Sequence, residues 1–296
     1  MFNKVGFKVA VLVNLVLLVV MAAGSFYLIQ EQSKSLDAQL LERGKIESIL
    51  GAKMVGKVLE EAIDNGVFTV GEAFDTNYEE IPGFDPAKYH TAYDSYLDKA
   101  ILALEDEFLK DDSVEFAVAV DRNGYLPTHN SRFQQGISGE KGKDLSGNRT
   151  KRMFNDPIGL KSAQNQDEAF RQIYKRDTGE VMWDISSPIF VKGKHWGGFR
   201  IGVSLKKMDI AKNKLQGTLL AIMGGLLLVS ILAVFLVVDL ALKPLGKFTQ
   251  IAGELADGKI DQKIVATSHD EIGKLADVLE RLRVSLKMAM DRLSRK

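Results

Sequence analysis

The sequence predicts an α+β protein held in a membrane by two helices, and three observations predict it. Two apolar runs without a charged residue, 9–30 and 215–238, divide the chain. Between them, a helical stretch gives way to strands of alternating polarity. After the second run, apolar residues recur at 3-4 spacing, the pattern of helices that pair with other helices. The runs hold 22 and 24 residues. At about 1.5 Å per residue, either is long enough to cross a hydrocarbon core about 30 Å thick.

Composition narrows the function. The 39 basic and 39 acidic residues cancel, so nothing points to a nucleic-acid partner. Cysteine is absent. That rules out a disulfide framework, thiolate catalysis, a cysteine zinc site and covalent c-type haem. With four histidines, no metal cluster stands out. There is no P-loop glycine pattern, no H-E-x-x-H and no G-x-S-x-G. The chain is therefore read as a non-enzyme, with no catalytic residue, metal or cofactor expected.

The first run follows Lys4 and Lys8. Ala22, Ala23, Gly24 and Ser25 offer a cleavage site, but the run continues through Phe26, Tyr27, Leu28 and Ile29. It is longer than a signal peptide's apolar region, so a retained anchor is expected. Asn14, its one strongly polar residue, is either a tolerated amide or a partner for a hydrogen bond between helices. The division is a tail over 1–8, spans over 9–30 and 215–239, and a domain over 31–214 between them. Both chain ends then lie on one side. The N-terminal lysines favour the cytoplasm for that side, although Lys206, Lys207, Lys212 and Lys214 precede the second span on the other.

Residues 31–64 continue the first span as helix, with apolar positions at Leu36, Leu40, Ile46, Leu50, Met54, Val58 and Ala62. Asn65-Gly66 ends it. A loop with Pro82, Gly83 and Pro86 leads into a second helix over 86–110. A strand over 114–120 places Phe116, Val118 and Val120 on one face, and Ala117 and Ala119 on the other. Asp121-Arg-Asn-Gly124 turns the chain into a strand that begins at Tyr125. The glycine-rich stretch 130–168 holds one short helix. Strands over 170–175, 180–191 and 196–205, with turns at Asp177-Thr-Gly179 and Lys192-Gly193-Lys194, close an antiparallel meander.

Four stretches carry a resemblance: Gly124-Tyr-Leu-Pro-Thr-His-Asn130, Asn148-Arg-Thr-Lys-Arg-Met-Phe-Asn-Asp156, Arg176-Asp-Thr-Gly-Glu-Val-Met-Trp-Asp184 and Lys194-His-Trp-Gly-Gly-Phe-Arg-Ile-Gly202. They look like a subgroup of methyl-accepting chemotaxis proteins. The layout over 31–210 resembles a single Cache domain, the PAS-like extracytoplasmic sensor of chemoreceptors and sensor kinases. Some relatives in that subgroup carry covalent haem, for which this chain lacks the cysteines.

Strand alternation then places the candidates. Val181, Trp183, Ile185, Ile189, Phe199, Ile201 and Val203 face the long helix. Met182, Asp184, Ser186, Trp196 and Arg200 face the other way, where the resemblance implies a pocket under the intervening loop. Ala117 and Ala119 either leave room there or merely permit close packing. Arg200 either pairs with Asp184 or takes a ligand carboxylate. His129 and Asn130 sit at a strand end above the pocket, where turn capping is favoured over metal ligation. Arg149, Lys151 and Arg152 form either a solvated face or an anion-binding lid, since arginine presents a two-pronged fork to carboxylates.

After the second span, Pro244 opens a helix with Leu245, Phe248, Ala252 and Leu255 on one stripe, and Gly258 closes it. Ile260, Ile264 and Val265 lie in a connector. Asp270 caps the next helix, and Glu271 adds charge to its first turn. Ile272, Leu275, Leu279, Leu282, Leu286, Ala289 and Leu293 continue the stripe. Pro244, the Gly258-x-Ile260 motif and Asp270-Glu271-Ile272-Gly273 resemble the HAMP domain of bacterial receptors over 240–293, with 294–296 as the chain end. The resemblance implies a cytoplasmic homodimer forming a parallel four-helix bundle. The relay residues are then Pro244, Gly258, Glu271, Leu275 and Leu279.

The whole reads as a homodimeric chemosensory receptor of a bacterial inner membrane. Its sensor is periplasmic, both termini are cytoplasmic, and its ligand is a small molecule such as an organic anion. No output domain precedes Lys296. The alternatives are a fragment, an interaction protein that pairs through HAMP with a full-length chemoreceptor, or the sensory half of a histidine kinase.

Overall fold

The computed structural model describes residues 5–265 and 269–294. Residues 1–4, connector residues 266–268 and residues 295–296 lie outside the described residues. The chain forms two compact units: Ile29–Gly217, and the residues up to Leu28 together with those from Thr218.

In chain order the elements are α1 (Val5–Asp64), α2 (Val70–Ala73), β1 (Glu79–Ile81), β2 (Lys88–His90), α3 (Asp94–Ala100), α4 (Leu102–Phe108), β3 (Val114–Asp121) and β4 (Tyr125–Leu126). A single 3₁₀ turn, Ser131–Phe133, precedes α5 (Lys141–Gly147), β5 (Arg152–Met153) and α6 (Pro157–Gln164). Then come β6 (Phe170–Lys175), β7 (Val181–Val191), β8 (Lys194–Ser204), α7 (Leu205–Ala256) and α8 (Glu271–Ser294).

Two antiparallel sheets organise the Ile29–Gly217 unit. The larger has the order β3-β8-β7-β6, the smaller β1-β2-β5-β4. The outer half of α1 packs on one face of the larger sheet. Ala52, Val55, Leu59 and Ala62 join Ile185, Ile189, Phe199, Ile201 and Val203 in the main core. The inward stripe of α1 keeps the expected Leu40, Val58 and Ala62 but departs between them, because Ile46, Leu50 and Met54 are all exposed. Small residues win the inward face because the sheet comes so close. A Cβ at Gly51 would meet the Phe199 ring at 2.2 Å, so only glycine fits.

Three local expectations are corrected. The helix over 86–110 is instead β2 followed by α3 and α4. The Tyr89 N–H bonds to the Lys151 carbonyl at 2.9 Å, and this pairing across the fold claims residues 88–90 for a sheet. The loop over 130–168 holds two α-helices besides its 3₁₀ turn. The second begins at Asp156-Pro157, where the Asp156 carboxylate accepts the N–H groups of Ile158 and Gly159 at 3.0 and 3.1 Å. Proline at the first helical position completes that start. Finally, Pro244 opens no helix. It lies inside the unbroken α7.

In the other unit, α1 and α7 each contain a stretch long and apolar enough to cross a membrane. The most apolar 18-residue windows are 6% and 0% buried, as a lipid-facing surface requires and a core helix does not. Asn14 donates to its own helix, at the Ala10 carbonyl, over 2.8 Å. At the end of α7, Gly258 takes the left-handed conformation, φ 84°. Its N–H bonds to the Leu255 carbonyl and that of Lys259 to Glu254, which closes the helix. Leu255, Ile260, Ile264 and Ala276 form a small core, with Phe248, Ile251, Leu279 and Leu286 packed against it. Asp270 caps α8 by accepting from Ile272 and Gly273 at 3.0 and 3.1 Å.

Candidate functional site

The second face of the larger sheet carries the site. Residues directly opposite in antiparallel strands share a face. Val118 lies opposite Arg200 and Arg200 opposite Ser186, while Tyr174 lies opposite Met182 and Gln172 opposite Asp184. A second core of Phe116, Val118, Val120, Leu126, Phe133, Tyr174 and Met182 covers this face. A cavity of about 20 Å³ opens within it, room for about one water molecule. Phe116, His129, Arg149, Phe154, Tyr174, Arg176 and Arg200 are among the residues that line it.

Arg200 is held by Asp184 through two hydrogen bonds of 3.0 Å, from Nε and from Nη2. Burial works against the guanidinium's charge, but Asp184 outweighs it and holds Arg200 above its ordinary value. Asp184 is itself oriented by Ser162 and by Gln172 Nε2 at 3.0 Å. Fully buried, it acts beneath Arg200 and does not line the cavity. Gly202, opposite Phe116, makes this layering possible. A Cβ there would stand 2.3 Å from the Phe116 ring.

Arg149 closes the site from above, with Nη1 bonded to both Asp177 oxygens at 2.8 and 3.0 Å. Arg152 is buried behind it, its guanidinium 5.1 Å from the Phe154 ring centre. Burial and then the charge of Arg149 pull Arg152 below its ordinary value. Arg176 is the least satisfied cation of the group. Its side chain is 3% exposed, and its nearest carboxylates, Glu180 and Glu115, are 3.6 and 3.7 Å away. Those are ion-pair distances outside hydrogen-bond reach. Its Nη2 is buried without a hydrogen-bond partner among the described residues. The group stacks 4.5 Å from the Phe133 ring centre. Burial, followed by the charge of Arg149, lowers Arg176 to about 10.

His129 completes the lining. Its Nδ1 is buried without a partner among the described residues. Burial, reinforced by the arginines around it, holds it well below its ordinary value.

The remaining predicted residues divide. Met182 packs in the second core and Ser186 is fully buried, its Oγ unpartnered among the described residues. Asn130 braces the edge strand β3, accepting from the Ala117 N–H at 2.9 Å and donating to the Glu105 carbonyl at 2.6 Å. Lys151 turns away to Asp94 and Asp98, at 3.0 and 2.7 Å.

Trp196 faces the opposite core, where its indole N–H donates to the Ala73 carbonyl at 2.8 Å. A bulge between Ile189 and Phe190 shifts the register there and inserts Trp196 as the extra residue. The alternation inverts at that point. Ala117 and Ala119 also lie in the helix-side core, because Val118 between them takes the face of Arg200.

Phe116, Phe154, Tyr174 and Arg176 were not among the expected site residues. For two of them the signal was present. Tyr174 and Arg176 fall on the same alternation as Gln172, whose register partner is Asp184.

Residues 236–288 match the family model of the HAMP domain. With two helices long and apolar enough to span a membrane and an antiparallel-sheet domain between them in sequence, the chain is an α+β membrane receptor that carries a HAMP region. No curated protein sequence matches the chain. Among solved structures, the Escherichia coli DcuS sensor domain matches at 18% identity over 38% of this chain and 72% of its own, with a TM-score of 0.27. The sensory domain of the Campylobacter jejuni chemoreceptor Tlp3 with isoleucine bound matches at 11% identity over 60% of this chain, TM-score 0.30. The chain spans 64% of that domain's length. The Tlp3 ligand-binding domain in complex with L-valine matches at 11% identity over 60% of this chain and 64% of its own, TM-score 0.28.

Proposed function

We propose that the chain is a sensory receptor of a bacterial inner membrane whose Ile29–Gly217 unit binds a small organic anion on the extracytoplasmic side. Both termini are cytoplasmic. The carrying observation is Arg176, a buried guanidinium with an unpartnered N–H beside Arg149 and Arg200. A buried cation lacking hydrogen bonds is costly, and a carboxylate would satisfy it with charge-assisted bonds. Phe116, Phe154 and Tyr174 supply flat apolar walls. The cavity holds about one water molecule, so an anion larger than water must lift the segment that carries His129, Arg149 and Phe154. That motion gives the ligand unequal affinity for two states, which any relay requires.

The signal then passes from β8 into α7 and on to the HAMP region. Leu275, Leu282 and Leu293 of α8 are exposed, at stripe positions that a second copy would cover in a parallel bundle. The same exposed leucines support a second reading, pairing with another HAMP-bearing receptor to modulate it. Recovery of mixed pairs rather than homodimers after co-expression would favour that reading.

The test is thermal unfolding of the full chain in lipid nanodiscs against a panel of small carboxylates. An anion at a hundred times its dissociation constant adds about 2.7 kcal/mol of stability. A rise in unfolding temperature that Arg176→Met abolishes is expected. Absence of a rise with every anion rejects the reading.

A further inference from the structure

We propose that His129 takes up a proton when the pocket binds its anion, so that ligand affinity rises as pH falls. The inference rests on the anion-pocket reading above and concerns how that site is regulated. His129 is 3% exposed and lines the cavity. Its ring lies between Phe133 and Phe116, at centroid distances of 4.6 and 6.4 Å.

Charged and titratable groups surround it from each neighbouring element. Arg200 comes from β8, Tyr174 from β6, Arg176 from just beyond β6, and Arg149 and Arg152 from β5 and the segment before it. Their carboxylate partners are engaged: Asp184 with Arg200, Asp177 with Arg149 and Arg152, Glu115 and Glu180 with Arg176. None of these carboxylates is hydrogen-bonded to His129 among the described residues.

Burial and four neighbouring cations hold the imidazole neutral. An anion in the cavity supplies the missing negative charge beside the ring and favours its protonated form. The proton comes from solvent, the ligand stays ionised, and His129 becomes a further donor to it. The sign follows from linkage. The complex binds one proton more than the free protein, so affinity rises as pH falls through the histidine's value in the complex. The rise is at most about tenfold per pH unit.

The test is titration calorimetry on the full chain in lipid nanodiscs at about pH 6 and about pH 8, the range in which histidine acts. Oxalate and sulfate serve as probes because both stay ionised there. Two buffers of different ionisation enthalpy are compared. A buffer-dependent heat that corresponds to proton uptake is expected, with binding tighter at the lower pH. His129→Gln is expected to bind more weakly at about pH 6, where the protonated ring donates to the anion, and to lose both the buffer-dependent heat and the pH dependence. Binding that depends on Arg176 but is flat with pH and independent of buffer overturns the proton coupling and leaves the pocket standing. Proton uptake that persists in His129→Gln also overturns it. No binding by either anion at either pH rejects the pocket and the coupling together. Should His129→Gln fail to fold, the same two-buffer comparison on His129→Asn decides.

Discussion

Arg200 and Asp184 tie β8 to β7 through a two-pronged ion pair that is almost completely shielded from water, with side-chain exposures of 5% and 0%. Each charge is tolerable only because the other is present. Arg200→Ala leaves a buried carboxylate, and Asp184→Asn leaves a buried guanidinium. Each is expected to destabilise the protein by about 3–5 kcal/mol. The double replacement Arg200→Met with Asp184→Leu is expected to lose much less, since an apolar pair avoids the desolvation of both charges. Chemical unfolding of the three variants checks this.

Arg176 is expected to behave in the opposite way, although it is equally buried. It makes no hydrogen bond through its guanidinium among the described residues, and its carboxylates stand at 3.6 and 3.7 Å. Arg176→Met keeps a long side chain against Phe133. A stability change within about 1 kcal/mol, of either sign, is expected. A loss as large as that of Arg200→Ala would show that Arg176 is a structural cation and no ligand anchor.

Gly51 marks where α1 meets the sheet, with the Phe199 ring 2.2 Å from a built Cβ. Even Gly51→Ala must push the helix or rotate Phe199, which Phe108 hems in at a centroid distance of 5.3 Å. The gain in helix propensity, about 1 kcal/mol, is outweighed by overpacking of about 1–3 kcal/mol or more. A lower unfolding temperature is expected. At Leu50, which is 50% exposed, the change to Ala is expected to leave the stability of the monomeric protein nearly unchanged.

How much of the fold is legible in the sequence depends on the length of each pattern. The strands β6, β7 and β8 span 6 to 11 residues, enough for alternation to bring Arg200 and Asp184 to one face. The same rule misplaces Trp196, because a bulge adds one residue and inverts the alternation beyond it. It also reaches Tyr174 and Arg176, had it been applied to β6. Of the smaller sheet only β4 was legible, through the turn that starts it at Tyr125. The sheet's strands have two or three residues, too few for a period, and it is set by pairing between distant segments. The middle of the inward stripe of α1 was hidden for another reason. Close approach selects glycine and serine at Gly44, Ser48 and Gly51, and a search for large apolar residues passes over them.

Glu105 offers a stability test tied to pH. It is fully buried on α4, where one carboxyl oxygen accepts the Ala119 N–H at 3.0 Å and the other has no partner among the described residues. Burial pushes it well above its ordinary value of 4.5, the Ala119 bond opposes this, and the charges of Asp106 and Asp98 add to it. The folded protein therefore holds a proton that the unfolded chain releases. For an acid with a raised folded value, the stability contribution is complete below about 4.5 and declines as pH rises toward the folded value, by at most about 1.4 kcal/mol per pH unit. Glu105→Gln keeps an acceptor for Ala119 and cannot ionise. The variant is expected to be no more stable than the natural protein at about pH 4, and to gain on it as pH rises above about 4.5 toward the folded value. Unfolding free energies measured across that range check the slope. A difference that stays constant with pH would mean that Glu105 is ionised in the fold and that its second oxygen has found a partner.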